Sequence, residues 1–74
     1  MPQILDAQGL KCPLPVLKAR KALRDVAPGD VLTVLATDPS AVKDFKAFCT
    51  ETAHEFLDSS QTGEVYTISI RKAN

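Results

Sequence analysis

A chain of 74 residues has room for one domain, expected over residues 1–74, and a domain that small buries only about 60% of the surface its unfolded chain exposes, which excludes a deep active-site cavity. Its 45% hydrophobic and 24% charged residues are those of an ordinary globular protein, and nine basic residues balance nine acidic ones, which excludes the positive field of a stand-alone nucleic-acid binder. No apolar run approaches the roughly 20 residues that cross a bilayer, and the start of the chain lacks the basic and apolar stretches of a signal peptide, so a cytoplasmic protein is expected.

Gln3 to Ala7 alternate as a short strand, and Gln8-Gly9 break it where a positive backbone angle is available. From Pro13 to Val26 the apolar residues Val16, Ala19, Leu23 and Val26 recur at helical spacing. Pro13 and Pro15 suit the first turn of that helix, where a missing N–H costs nothing. Ala27-Pro28-Gly29-Asp30 is a turn, and the β-branched run Val31 to Ala36 is a buried strand. Strand, helix and strand form a βαβ unit, with parallel strands if the two are sheet neighbours. Thr37-Asp38-Pro39-Ser40 opens a second helix, with Thr37 or Asp38 as cap and Pro39 in its first turn. Its apolar face is Ala41 or Val42, Phe45, Phe48 or Cys49, and Thr52. Residues 54–58 fit either a helical extension or a strand. Because Val65 to Ile70 is an alternating strand preceded by a loop at Gln61 to Glu64, a paired strand at about residues 55–60 is favoured. The fold expected is a two-layer α/β sandwich of order βαβαββ, a mixed four-stranded sheet with two helices on one face.

The two cysteines, Cys12 and Cys49, are too few for a disulfide scaffold and too far apart for a local metal-binding pair. Two free thiols are expected, with no metal and no cofactor. Cys12 draws attention because it lies at the mouth of the first helix, where backbone amides and the helix dipole favour a thiolate. Lys11 adjoins it, Lys18, Arg20, Lys21 and Arg24 follow, and no acidic residue intervenes between Asp6 and Asp25. The flanking prolines hold the sulfur at the surface, and Gly9 permits the tight return from the first strand. The single histidine, His54, is remote in sequence, so no nucleophile-base pair is evident. A persulfide carrier needs none: a thiolate accepts sulfane sulfur from a donor, and an acceptor removes it.

The segment Leu5-Asp6-Ala7-Gln8-Gly9-Leu10-Lys11-Cys12-Pro13-Leu14-Pro15 resembles the signature of the TusA/SirA family of sulfur carriers, with its Cys-Pro-x-Pro motif. Pro28-Gly29-Asp30, Thr37-Asp38-Pro39, Phe48-Cys49 and His54-Glu55 are similar to further family features. The resemblance implies a βαβαββ sandwich, a strand after His54, and persulfide carriage on Cys12, with Gly9, Lys11, Pro13 and Pro15 as its supporting motif. It implies a sulfur relay protein rather than a stand-alone enzyme, with a cysteine desulfurase or rhodanese-like donor and a downstream acceptor protein. Relatives serve tRNA thiolation, molybdenum cofactor supply, sulfur oxidation and regulation. Leu14 and Ala53 replace the acidic residue and the glycine found in many members.

Lys18, Lys21 and Arg24 form either a solvated helix face or a docking surface for an acidic partner. A monomer without stable nucleic-acid binding is expected. Cys49 is read as core packing, with a resolving thiol as the alternative, and His54 as a structural group. The alternatives to a carrier are a regulatory or protein-binding module with a redox-sensing Cys12, and a thiol oxidoreductase using both cysteines.

Overall fold

A computed structural model describes residues 3–73, so Met1, Pro2 and Asn74 of the expected 1–74 domain lie outside the described residues. The elements run β1 (Gln3–Ala7), α1 (Leu14–Leu23), β2 (Val31–Ala36), α2 (Ala41–Glu51), β3 (Glu55–Thr62) and β4 (Val65–Arg71). They form one four-stranded sheet in the order β1-β2-β4-β3. β1 and β2 pair in parallel, while β2–β4 and β3–β4 are antiparallel. The expected βαβαββ order and mixed sheet are therefore found, and the ambiguous stretch after His54 is a strand.

Side-chain alternation decides which face of the sheet is covered. Leu32, Val34 and Ala36 of β2 are buried, and their neighbours Ile70 and Ile68 across the ladder are buried with them. Against this face α1 places Pro15, Ala19 and Leu23, and α2 places Ala41, Phe45, Phe48 and Cys49. Phe45 is the largest fully buried side chain, and its ring meets Phe48 edge-on at 6.4 Å. Each such aliphatic or aromatic burial contributes about 1.5–3 kcal/mol, which is how a core without tryptophan holds a chain this short. The opposite face carries Ile4, Thr33, Ser69 and Asp58, a polar-leaning surface on which Ile4 is 73% exposed.

Three boundaries differ from the sequence reading. Helix α1 is shorter than Pro13–Val26, since the chain after Leu23 passes into turns closed by Asp25 N–H to Ala22 O and Val26 N–H to Leu23 O. Pro15 is not merely tolerated in the first turn but buried in the core. Helix α2 starts at Ala41 rather than at Pro39, because residues 38–41 form a turn in which the Asp38 carbonyl accepts Ala41 N–H at 2.9 Å and the Asp38 carboxylate accepts Ser40 N–H, leaving Ser40 as the N-cap. The β3–β4 hairpin is also tighter than expected: Thr62 pairs with Val65 across Gly63-Glu64, and Gly63 has φ +60°. A register shift between Phe56 and Asp58 lets Phe56 face the core, and from Asp58 onward β3, an edge strand, is polar and exposed.

The Cys12 site

Cys12 sits in the β1–α1 connection, exposed, between a tight turn and the first turn of α1. Gly9 makes the turn at φ +81° and donates its N–H to Thr37 Oγ1 at 2.9 Å, tying it to the β2–α2 connection. Cys12 N–H donates to Asp38 Oδ2 at 2.8 Å, and the second oxygen of that carboxylate accepts Ser40 N–H at 3.3 Å. One side chain thus ties together the approaches to both helices. The Cys12–Pro13 peptide bond is cis, Pro13 occupies the N-cap of α1 with exposed edges, and Pro15 anchors the turn from below. Cys12 is at the surface, as expected from the sequence.

The electrostatics differ from the expectation of a favoured thiolate. A hydrogen bond from the thiol to Asp44, partial desolvation, and the charges of Asp44 and Asp38 together push the Cys12 thiol above its usual range. Two physical causes overturn the sequence argument. First, Pro13 and Pro15 remove two of the N–H groups that a helix start normally offers an anion, and the N–H of Leu14 is occupied by Lys11 O at 2.8 Å. Second, the acidic residues missing from the local sequence arrive from α2 and the loop before it. Cys12 Sγ and one oxygen each of Asp38 and Asp44 lie within 4.8 Å of one another.

These three groups are also the set among the described residues that could hold a metal ion. Asp38 accepts one backbone amide on each of its oxygens, from Cys12 and from Ser40, so its place in the cluster is fixed by the two helix approaches.

Of the remaining sequence candidates, Lys11 is exposed and lines the hollow formed by Gly9, Leu10, Cys12, Thr37 and Asp38. Lys18 donates from Nζ to the carbonyl of Asp6 at 2.9 Å, so its ammonium caps the end of β1. Lys21 and Arg24 are exposed near the other end of α1, away from the sulfur. Sequence reasoning missed Asp44, whose approach depends on how α2 packs. It also missed Leu14 and Leu17, which are 49% and 51% exposed on the outer face of α1. A second hollow, between α1 and α2, runs from Cys12 and Pro13 past Val16, Arg20, Asp44 and Phe48 to Glu51, and Arg20 lies 5.4 Å over the Phe48 ring.

Cys49 is 9% exposed in the core, and burial pushes its thiol up, as the packing role predicts. His54 accepts Ala73 N–H on Nδ1 at 3.0 Å and lies 5.7 Å from the Phe48 ring, holding the end of the chain against α2. Burial and, secondarily, the charge of Lys72 hold its imidazole below the usual histidine range. No helix among the described residues is long and apolar enough to cross a membrane.

This sandwich has relatives among known proteins. The profile of the family described as Sulfurtransferase TusA matches residues 3–72. A candidate sulfur carrier protein of Neisseria meningitidis serogroup A is 54% identical over 69 residues, 93% of each chain. The sulfur carrier protein TusA of Allochromatium vinosum is 48% identical over 71 residues, 96% of this chain and 93% of that one. The crystal structure of a SirA-like protein from Desulfitobacterium hafniense superposes with a TM-score of 0.76 at 27% identity over the whole of both chains. With a family match across nearly its full length and close relatives that carry sulfur, the chain belongs to the TusA family of sulfur carrier proteins.

Proposed function

We propose that Cys12 is the atom on which this sulfur carrier holds persulfide, taking it from a cysteine desulfurase or rhodanese-like donor and passing it to an acceptor protein. The observation that carries the reading is the placement of Cys12: exposed, in the loop held by Gly9, Asp38 and the two prolines, while Cys49 is buried. The Cys12 sulfur attacks the terminal sulfur of the donor's R–S–S–H. A new S–S bond forms at Cys12, the donor S–S bond breaks, and the donor sulfur leaves with the electron pair and gains the Cys12 proton. The products are Cys12–S–SH and R–SH, with no net oxidation, and delivery repeats the exchange with the acceptor as attacker. No metal or cofactor enters.

Lys11 and the outer stripe of α1, with Leu14, Leu17, Lys18, Lys21 and Arg24, supply an apolar and basic docking surface for partners, at helical spacing from the sulfur end. The protein works as a single carrier domain, a cytoplasmic monomer that does not itself bind nucleic acid stably. A redox-sensing Cys12 is the second reading, and the match to the TusA family favours the carrier over it. The burial of Cys49 weighs against a two-cysteine oxidoreductase.

Incubation with a cysteine desulfurase and cysteine adds the mass of one sulfur atom to the wild type, removable by reductant. An adduct that persists in Cys12→Ser overturns the assignment.

A further inference from the structure

Two carboxylates beside an exposed thiol are the reverse of what a constantly reactive cysteine needs, since their charge opposes the thiolate that must attack. The charged groups around the sulfur come from three places. Lys11 is its chain neighbour, Asp38 lies in the β2–α2 connection, and Asp44 stands in the first turn of α2. Farther along the α1–α2 groove are Arg20 and Glu51. Arg20 is placed over the Phe48 ring, and among the described residues no cation lies within ion-pairing distance of the Asp44 carboxylate. The groove therefore presents two acidic groups, Asp44 and Glu51, along a floor of Val16, Ala47 and Phe48. A long basic side chain fits that combination, with its stem on the apolar floor and its charge at the Asp44 carboxylate beside the sulfur.

We propose that Asp44 keeps the empty Cys12 sulfur as a hydrogen-bonded thiol, and that a cationic side chain of the sulfur-donating protein, seated on Asp44 in the α1–α2 groove, frees the sulfur to attack. This deepens the carrier reading and rests on Cys12 being the atom that is loaded. Once the incoming cation takes over the Asp44 carboxylate, the thiol loses its acceptor and the local charge becomes favourable to the thiolate. The Cys12 S–H bond then breaks as the bond to the donor's terminal sulfur forms. The donor's inner sulfur departs with the electron pair of the broken S–S bond and receives the proton. Reactivity is thereby coupled to docking, and the empty carrier away from its donor stays a protonated thiol. Asp44 is a positioning residue in this scheme, and Asp38, fixed by the Cys12 and Ser40 amides, supplies background charge.

The test compares wild type, Asp44→Asn and Asp44→Glu in two assays: the pH profile of Cys12 alkylation by iodoacetamide, read peptide by peptide, and the initial rate of sulfur loading from a cysteine desulfurase with cysteine. Cys49, shielded in the core, reports on folding, since its alkylation would reveal an opened chain. Asp44→Asn is expected to shift the alkylation profile to lower pH and to react about threefold faster near neutrality, because the gain in thiolate is partly offset by the lower nucleophilicity of a more acidic thiol. The same variant is expected to load from the desulfurase at least about tenfold more slowly, having lost the anchor for the partner's cation. Asp44→Glu restores both towards wild type. Opposite signs in the two assays are the signature that a merely structural role would not give. An alkylation profile that stays in place, or loading that is not reduced, overturns the proposal alone. Wild type that takes no sulfur on Cys12 overturns the carrier reading and this proposal together.

Discussion

The backbone N–H of Cys12 donates to the carboxylate of Asp38 over 2.8 Å, joining positions 26 residues apart in the chain. The loop that carries the sulfur is therefore shaped as much by the approach to α2 as by its own sequence. Through Oδ1, the same carboxylate also accepts the N–H of Ser40 at the N-cap of α2, so it fixes both helix starts at once.

Replacing Asp38 by Ala removes both acceptors. Because the region is open to water, the freed amides can be solvated, and the expected loss is about 1 kcal/mol of unfolding free energy rather than the larger penalty of a sealed core. Asp38→Asn keeps one acceptor oxygen and is expected to recover part of it. Urea denaturation measures the change, and the amide chemical shift of Cys12 should move in both variants. A midpoint equal to that of the wild type contradicts the clasp.

Gly9 holds φ +81° with open space where a Cβ would stand, so Gly9→Ala meets backbone strain and no steric clash. The expected cost is roughly 1–2 kcal/mol, the penalty of placing an L side chain in the left-handed region. For a chain of this size that is a fall in Tm of several degrees. Gly9→Asn, which tolerates that region better, should lie between the two. If Ala is as stable as Gly by thermal melting, the turn does not constrain the loop in the way described.

His54 is the only histidine, which makes its titration easy to follow. Its folded-state pKa lies below the unfolded value, so the unfolded chain binds the extra proton first. The stability associated with neutral His54 is fully present above the unfolded value, about 6.5, and declines as the pH falls below it, levelling off beneath the folded value. Protonation also displaces the Ala73 N–H from Nδ1. Urea midpoints measured from pH 7.5 down to 5.5 should therefore fall in the wild type and flatten in His54→Gln. An NMR midpoint for the ring at or above the ordinary histidine value would contradict the assigned environment.

Periodicity was enough for most of the architecture. β1 and β2 begin and end at the residues their apolar patterns mark, and Ile68 and Ile70 point inward as the alternation in β4 requires. Such patterns are local records of which face is buried, and a chain this short has few ways to satisfy them together. Helix ends were less legible. Pro39 and Asp38 look like a helix start, yet the Asp38 carboxylate is drawn to the Cys12 amide, an attraction visible only once β1 and β2 lie side by side.

The sequence by itself determined the fold order and singled out Cys12, because prolines, glycine and turn residues act on the backbone within a few positions of themselves. Only the tertiary structure decided the charge that the sulfur feels. Along the chain Cys12 has lysines and arginines for neighbours, whereas in space it faces Asp38 and Asp44. Coulomb interactions and hydrogen bonds depend on distance through the folded molecule, so two carboxylates remote in sequence outweigh the positive stretch around Cys12 and push its thiol up.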